Sequence, residues 1–196
     1  MNKEFLLFDM DGVLIDSFLV WWQSLNLALK EQKDKEISKD KFEQEYWGDT
    51  LQENLKKLNI NKNKQQFCQT FFEKYIEDIN IFDQTKNTLD QLSNYKKALI
   101  TNTPRSCTKK ILERFDLKKY FDVYITSDQI KNGKPSPDMI YKACEKLSVD
   151  PKYTIIVGDT ENDIKKKKKA NCKTVGIKIK ADYTIENISE LTNIIK

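Results

Sequence analysis

The sequence predicts an α/β fold, a Rossmann-like parallel-sheet core with an inserted helical cap domain. Three observations carry this. Short apolar runs alternate with helix-length amphipathic stretches along most of the chain, which implies parallel strands covered by helices. Residues 17–84 break the alternation, show helical spacing throughout, and hold one glycine, Gly48, and no proline. Polar and charged residues recur directly after the apolar runs, at the sheet edge where open parallel sheets bind ligands.

The elements follow in order. Residues 5–8 read as the first strand. Trp21, Trp22, Leu25 and Leu29 then begin a helical face, Leu51, Leu55 and Leu58 continue at the same spacing, and Phe67, Phe71, Tyr75 and Ile79 do so again. Four or so helices are expected there, with polar links near residues 34–38 and 59–63. Further strands are expected at residues 98–101, 123–126, 154–157 and 174–179. Helices are expected at 84–95, 106–115, 138–147 and 163–170, joined by right-handed crossovers. The domain assignment is therefore a core of residues 1–15 and 85–196 and a helical cap of residues 16–84.

Composition narrows the chemistry. A chain of 196 residues buries a real core without staples. It contains no histidine, which excludes a Ser–His–Asp triad, a histidine base and a histidine metal site. The four cysteines, Cys68, Cys107, Cys144 and Cys172, form no C-x-x-C pair and read as free thiols of a reducing compartment. Without a signal peptide pattern or a membrane-length apolar run, a cytoplasmic protein is expected. The net charge of +4 rests on lysine, with Arg105 and Arg114 the sole arginines. Lysine lacks the planar fork that reads phosphates and bases, so a nucleic-acid partner is not expected. Five consecutive lysines, residues 165–169, would surround a helix rather than line one face of it, and read as a solvated segment.

The residues after the strands suggest a reaction. Asp9-Met10-Asp11-Gly12-Val13 follows the first run, Thr101 and Asn102 the second, and Gly133-Lys134-Pro135-Ser136-Pro137-Asp138 closes the loop after the third. Gly158-Asp159-Thr160-Glu161-Asn162-Asp163 follows the fourth. Asp9, Asp11 and Asp159, with Asp163 a turn later, would repel one another unless neutralised. A hard divalent cation, Mg2+, suits such oxygen ligands. Lys134 adds positive charge and Thr101 and Asn102 add neutral donors, making a pocket for a phosphate beside a metal. Asp9, leading directly off a strand, is placed to attack phosphorus, and Asp11 to serve as acid and base. Gly12 would let backbone amides approach the phosphoryl oxygens. Asp138 reads as a helix N-cap, and Ser17 as the start of the first cap helix.

These four stretches, in this order, resemble the motifs of the haloacid dehalogenase superfamily, in its branch of small capped phosphatases similar to phosphoglycolate phosphatases. The resemblance spans nearly the whole chain, and four ordered motifs are far more specific than one. It implies that Asp9 is the nucleophile and a Mg2+ ligand, and that Asp11 is the acid/base whose backbone carbonyl also binds metal. It implies that Thr101 and Lys134 hold phosphate, that Asp159 is a direct ligand, and that Asp163 orients the site from behind it. Dehalogenases of the family lack the second aspartate, so Asp11 points to phosphoryl transfer. Mutases carry a cap histidine that is absent here.

The expected function is a Mg2+-dependent phosphatase acting on a small phosphorylated metabolite, as a monomer or homodimer. A phosphotransferase or mutase, or a non-catalytic binding protein, is the alternative. Residues Tyr46, Trp47 and Gly48, with Trp21, are the candidates for cap specificity. The cap contains no arginine, unlike related caps that bind a substrate carboxylate or phosphate, so its aromatic residues favour a sugar or nucleoside face, or serve as packing.

Overall fold

A computed structural model describes residues 5–164 and 170–195. The five-lysine run at 165–169 lies outside the described residues. The core is a six-stranded parallel sheet. Strand β1 (Phe5–Phe8) lies between β4 (Lys97–Thr101) and β6 (Thr154–Gly158); β5 (Val123–Thr126) flanks β4, and β7 (Lys173–Ile177) and β8 (Tyr183–Ile185) follow β6. Phe8 pairs with both Leu99 and Val157, so the residues after β1, β4 and β6 emerge at one edge.

The period of two along the strands sorts the core into two layers. Leu6, Phe8, Leu99, Ile155 and Val157 face one layer, and Leu7, Ala98, Ile100 and Ile156 the other. Helix α6 (Arg105–Arg114) covers the first layer with Cys107, Ile111 and Leu112, and α7 (Asp138–Leu147) covers the second with Met139, Ile140, Ala143 and Cys144. Helix α5 is shorter than expected, Thr85–Gln91. Strand β7 ends at Ile177 because Lys178 takes a left-handed backbone, φ 59°.

Four helices make the inserted segment: α1 (Phe18–Glu31), α2 (Lys39–Glu45), α3 (Leu51–Lys57) and α4 (Gln65–Lys74). Helix α3 begins at a capping box, with the Thr50 hydroxyl accepting from the Glu53 amide and the Glu53 carboxylate accepting from the Thr50 amide. The buried face of α4 is Cys68 and Phe72 rather than the expected Phe67, Phe71 and Tyr75, which flank it half-buried. Trp21 stacks on Phe72 with ring centroids 4.1 Å apart, and the Trp22 indole donates to the Ile37 carbonyl.

Two features lay outside the expected elements. Strand β2 (Ile15–Asp16) pairs antiparallel with β3 (Asn80–Ile81), so the chain leaves and re-enters the core region through a two-stranded ribbon, not through helices alone. Strand β8 adds a sixth member at the sheet edge. Beside the ribbon, Arg114 of α6 donates to the carbonyls of Ile76 (2.7 Å) and Glu77 (2.9 Å), and Lys110 pairs with Glu73 at 2.6 Å. These contacts fasten α4 to the core. All four cysteines are buried and unpaired, and burial pushes the Cys68, Cys107 and Cys144 thiols up to about 12. Among the described residues, no helix is long and apolar enough to cross a membrane.

Candidate active site

The carboxyl ends of β1 and β6 bring the predicted acids together. Asp9 follows β1 with its amide held by the Val157 carbonyl at 2.9 Å, so its backbone is part of the sheet. Asp159 follows β6, and Asp163 sits on the short helix α8 (Glu161–Ile164). Carboxylate oxygens of Asp9, Asp159 and Asp163 lie within 4.8 Å of one another. Lys134 reaches this cluster from the loop before α7. Its Nζ is 2.7 Å from Asp9 Oδ1 and 2.7 Å from Asp163 Oδ1, and all three side chains are buried.

Asp163 is fully engaged. Besides Lys134 at Oδ1, it accepts at Oδ2 from the Thr160 amide (3.1 Å) and hydroxyl (2.6 Å). That fits a residue that positions Lys134 rather than one that offers itself to a ligand. Asp159 differs. Its Oδ2 accepts from the Trp47 indole at 3.2 Å, but its Oδ1 is buried with no partner.

The electrostatics follow from crowding. Burial and then the charge of Asp163 push the Asp159 carboxyl up to about 7. Asp9 is raised well above the usual carboxylate range, first by burial and then by Asp163, with Lys134 opposing. Burial pulls the Lys134 ammonium down, but Asp163 and Asp9 outweigh it and hold it above the ordinary lysine value. One ammonium does not neutralise three crowded carboxyls, two of them buried. The unpartnered Asp159 Oδ1, the all-oxygen donor set and this excess of negative charge suit a hard divalent cation such as Mg2+.

Asp11 stands apart from this cluster and meets hydroxyls instead. Thr101 (3.1 Å) and Thr103 (2.8 Å) donate to Oδ2, and Ser17 donates to Oδ1. A hydroxyl can donate or accept, so these three can hold Asp11 in either protonation state. Ser17 precedes α1 as expected, but its hydroxyl caps nothing and turns to Asp11. Thr103 was not anticipated; two residues past Thr101, it carried no signal of its own.

Several expected phosphate contacts are otherwise employed. The Gly12 amide donates to the Ile15 carbonyl at 2.8 Å. What Gly12 contributes is space: its φ is +78°, and a Cβ there would lie 1.9 Å from Asp159 Oδ2. Asn102 does not offer its amide to the cavity. Its Nδ2 donates to the carbonyls of Gly48 (2.7 Å) and Lys134 (3.1 Å), and its Oδ1 accepts from the Lys134 amide (2.8 Å). It ties the cap loop and the Lys134 loop to β4. Thr101 spends its proton on Asp11. Asp138 is the first residue of α7 rather than its cap, and accepts from Ser136 and Asn132.

The loop at residues 46–50, between two of the inserted helices, lies against the site. Gly48, φ +83°, passes so near Thr160 that a Cβ would come within 3.0 Å of it, and Asn162 donates to Asp49 at 3.0 Å. Beneath lies a cavity of about 40 Å³, lined on the core side by Asp9, Asp11, Asn102, Thr103 and Lys134. Trp21, Tyr46, Trp47 and Gly48, the cap candidates, all line it. Each also packs or bonds within the protein: Trp21 on Phe72, Trp47 on Phe18 with ring centroids 5.3 Å apart. Asn54 joins them on the same wall without having been anticipated.

Residues 6–177 match the family described as haloacid dehalogenase-like hydrolase. The chain is 30% identical over 203 residues to a phosphoglycolate phosphatase of Aquifex aeolicus, spanning 96% of this chain and 95% of that one. It is 27% identical to pyrophosphatase PpaX of Oceanobacillus iheyensis, over 100% and 98% of the two chains. The structure of CbbY from Rhodobacter sphaeroides in complex with phosphate superposes with a TM-score of 0.84 over 96% of each chain; at 18% identity this bears on the fold.

Proposed function

We propose, because the chain belongs to the haloacid dehalogenase-like hydrolases, that it is a Mg2+-dependent phosphatase releasing phosphate from a small phosphate monoester. The observation that carries this is the buried Asp9–Lys134–Asp163 arrangement with the unpartnered Asp159 Oδ1 beside it. Phosphatase and pyrophosphatase relatives along the full chain support it. A cytoplasmic location fits the free thiols.

In this reading Asp9 and Asp159 would hold Mg2+, which when bound supplies positive charge to the phosphoryl oxygens. Asp9, oriented through its Oδ1 by Lys134, attacks phosphorus. The Asp9–phosphorus bond forms as the ester P–O bond breaks, and the leaving oxygen takes the proton of Asp11. Asp11 next takes a proton from water, which attacks the aspartyl phosphate, and phosphate leaves with Asp9 restored. Lys134 has three N–H groups and gives two to Asp9 and Asp163, which leaves a third for a phosphoryl oxygen. Asp163 keeps that lysine in place. The hydroxyls of Ser17, Thr101 and Thr103 hold Asp11 through both proton transfers.

The test is phosphate release from p-nitrophenyl phosphate in Mg2+ and in EDTA, with wild type and D9N. Metal-dependent release that D9N lacks, inhibited by vanadate or fluoroberyllate, is expected. Wild-type turnover by D9N would remove Asp9 as nucleophile. No release by folded, Mg2+-loaded protein would overturn the phosphatase reading.

A further inference from the structure

Asn54, a residue on the cavity wall made by the inserted helices, carries an acceptor with no donor. Asn54 lies on α3, is 6% exposed, and lines the cavity together with Asp9. Its Nδ2 donates to the Tyr46 carbonyl at 3.0 Å. That bond fixes the amide, because reversing it would set oxygen against oxygen. Oδ1 is left buried and without a partner. Buried polar atoms are almost always satisfied, and leaving one unpaired is costly, so an exception calls for a partner.

The surroundings define what completes it. Trp21, Leu25, Phe42, Trp47 and Leu51 make the rest of the wall apolar and aromatic. Lys134 is the one cation lining the cavity among the described residues, and its ammonium sits on Asp9 and Asp163. Asp49 has both oxygens engaged, by Lys57 and Asn162. An acidic leaving group would set its lone pairs against Asn54 Oδ1 and its charge against aromatic carbon with no counter-ion, which is costly. A hydroxyl would donate to Oδ1 and lay its carbon skeleton on the apolar wall. The cavity is narrow, about 40 Å³, which favours a small leaving group.

We infer that Asn54 is a specificity-determining residue that accepts a hydrogen bond from the leaving group, and that this group is a small neutral polyol rather than a carboxylate or a second phosphate. The inference rests on the phosphatase reading above. It sets this chain apart from relatives named for phosphoglycolate and pyrophosphate.

The experiment compares kcat/KM, in Mg2+, for glycerol 3-phosphate, n-propyl phosphate, 2-phosphoglycolate and pyrophosphate. Glycerol 3-phosphate is expected to exceed n-propyl phosphate by about ten-fold or more, since the unmatched Oδ1 penalises the ester lacking hydroxyls. Both acidic substrates are expected below glycerol 3-phosphate. N54L should collapse the glycerol-to-propyl ratio toward one, whatever it does to the common rate. The wild-type ranking stands as a test by itself if N54L does not fold. A flat ranking, an acidic substrate ranked first, or a ratio that survives N54L overturns the inference. If p-nitrophenyl phosphate is hydrolysed while the ranking is flat, the polyol assignment alone fails. If no ester is hydrolysed, the phosphatase reading fails and this one with it.

Discussion

The acidic cluster at the strand ends and the apolar wall that the inserted helices give the cavity each keep one acceptor unsatisfied. On the core side it is Asp159 Oδ1, among acids that a single lysine does not neutralise. On the cap side it is Asn54 Oδ1, among aromatic and aliphatic side chains. The first environment calls for a cation and the second for a neutral hydrogen-bond donor. The core places its groups by backbone, at strand ends locked into the sheet. The cap places its groups by side-chain packing, as Trp21 on Phe72 and Trp47 on Phe18 show.

The comparison breaks most completely at Asp9. D9N should lower phosphate release by at least about 10³-fold, because the nucleophile is gone while the fold remains; stopped assays with native-like circular dichroism check this. Next comes Lys134. K134M strips the buried acids of their counter-charge and should cost about 3–5 kcal/mol of stability in EDTA. Urea midpoints would record the loss, and Mg2+ should return part of it through its binding to the folded state. G12A sharpens the core side alone. Its methyl would collide with Asp159 Oδ2, so Mg2+ affinity by calorimetry should fall about ten-fold. W47F probes the bond that joins the inserted segment to Asp159 of the acidic cluster. Phenylalanine keeps most of the packing but loses the indole N–H to Asp159, and a change of about five-fold in Mg2+ affinity is expected, the smallest of the four.

The core was legible because its signals are local. Each expected apolar run of four to six residues holds a strand, and the acids after Phe8 and Val157 emerged at one edge, as the parallel register requires. What escaped has physical reasons. The two-residue strands Ile15–Asp16 and Asn80–Ile81 are too short to show a period. Strand Tyr183–Ile185 exposes two of its three residues and so lacks an apolar run. Asn54 is one polar residue within a helical pattern, and it becomes informative only when its amide is seen tied to the Tyr46 carbonyl. The Trp47–Asp159 and Asp49–Asn162 bonds join residues more than a hundred positions apart, which no local pattern reveals. Asn102, expected as a phosphate contact, lines the cavity and also fastens two loops, a role no local pattern reveals.

The ribbon of β2 and β3 bears on how such a protein diversifies. Ile15 pairs with Ile81, so the chain departs from the core and returns to it at neighbouring points. Everything between those points can lengthen, shorten or change sequence without altering the spacing of the strands that carry the acids. Substitutions in the inserted helices away from Trp47, Gly48 and Asp49, which bond to Asp159, Asn102 and Asn162, therefore leave the strand ends that carry the acids in place.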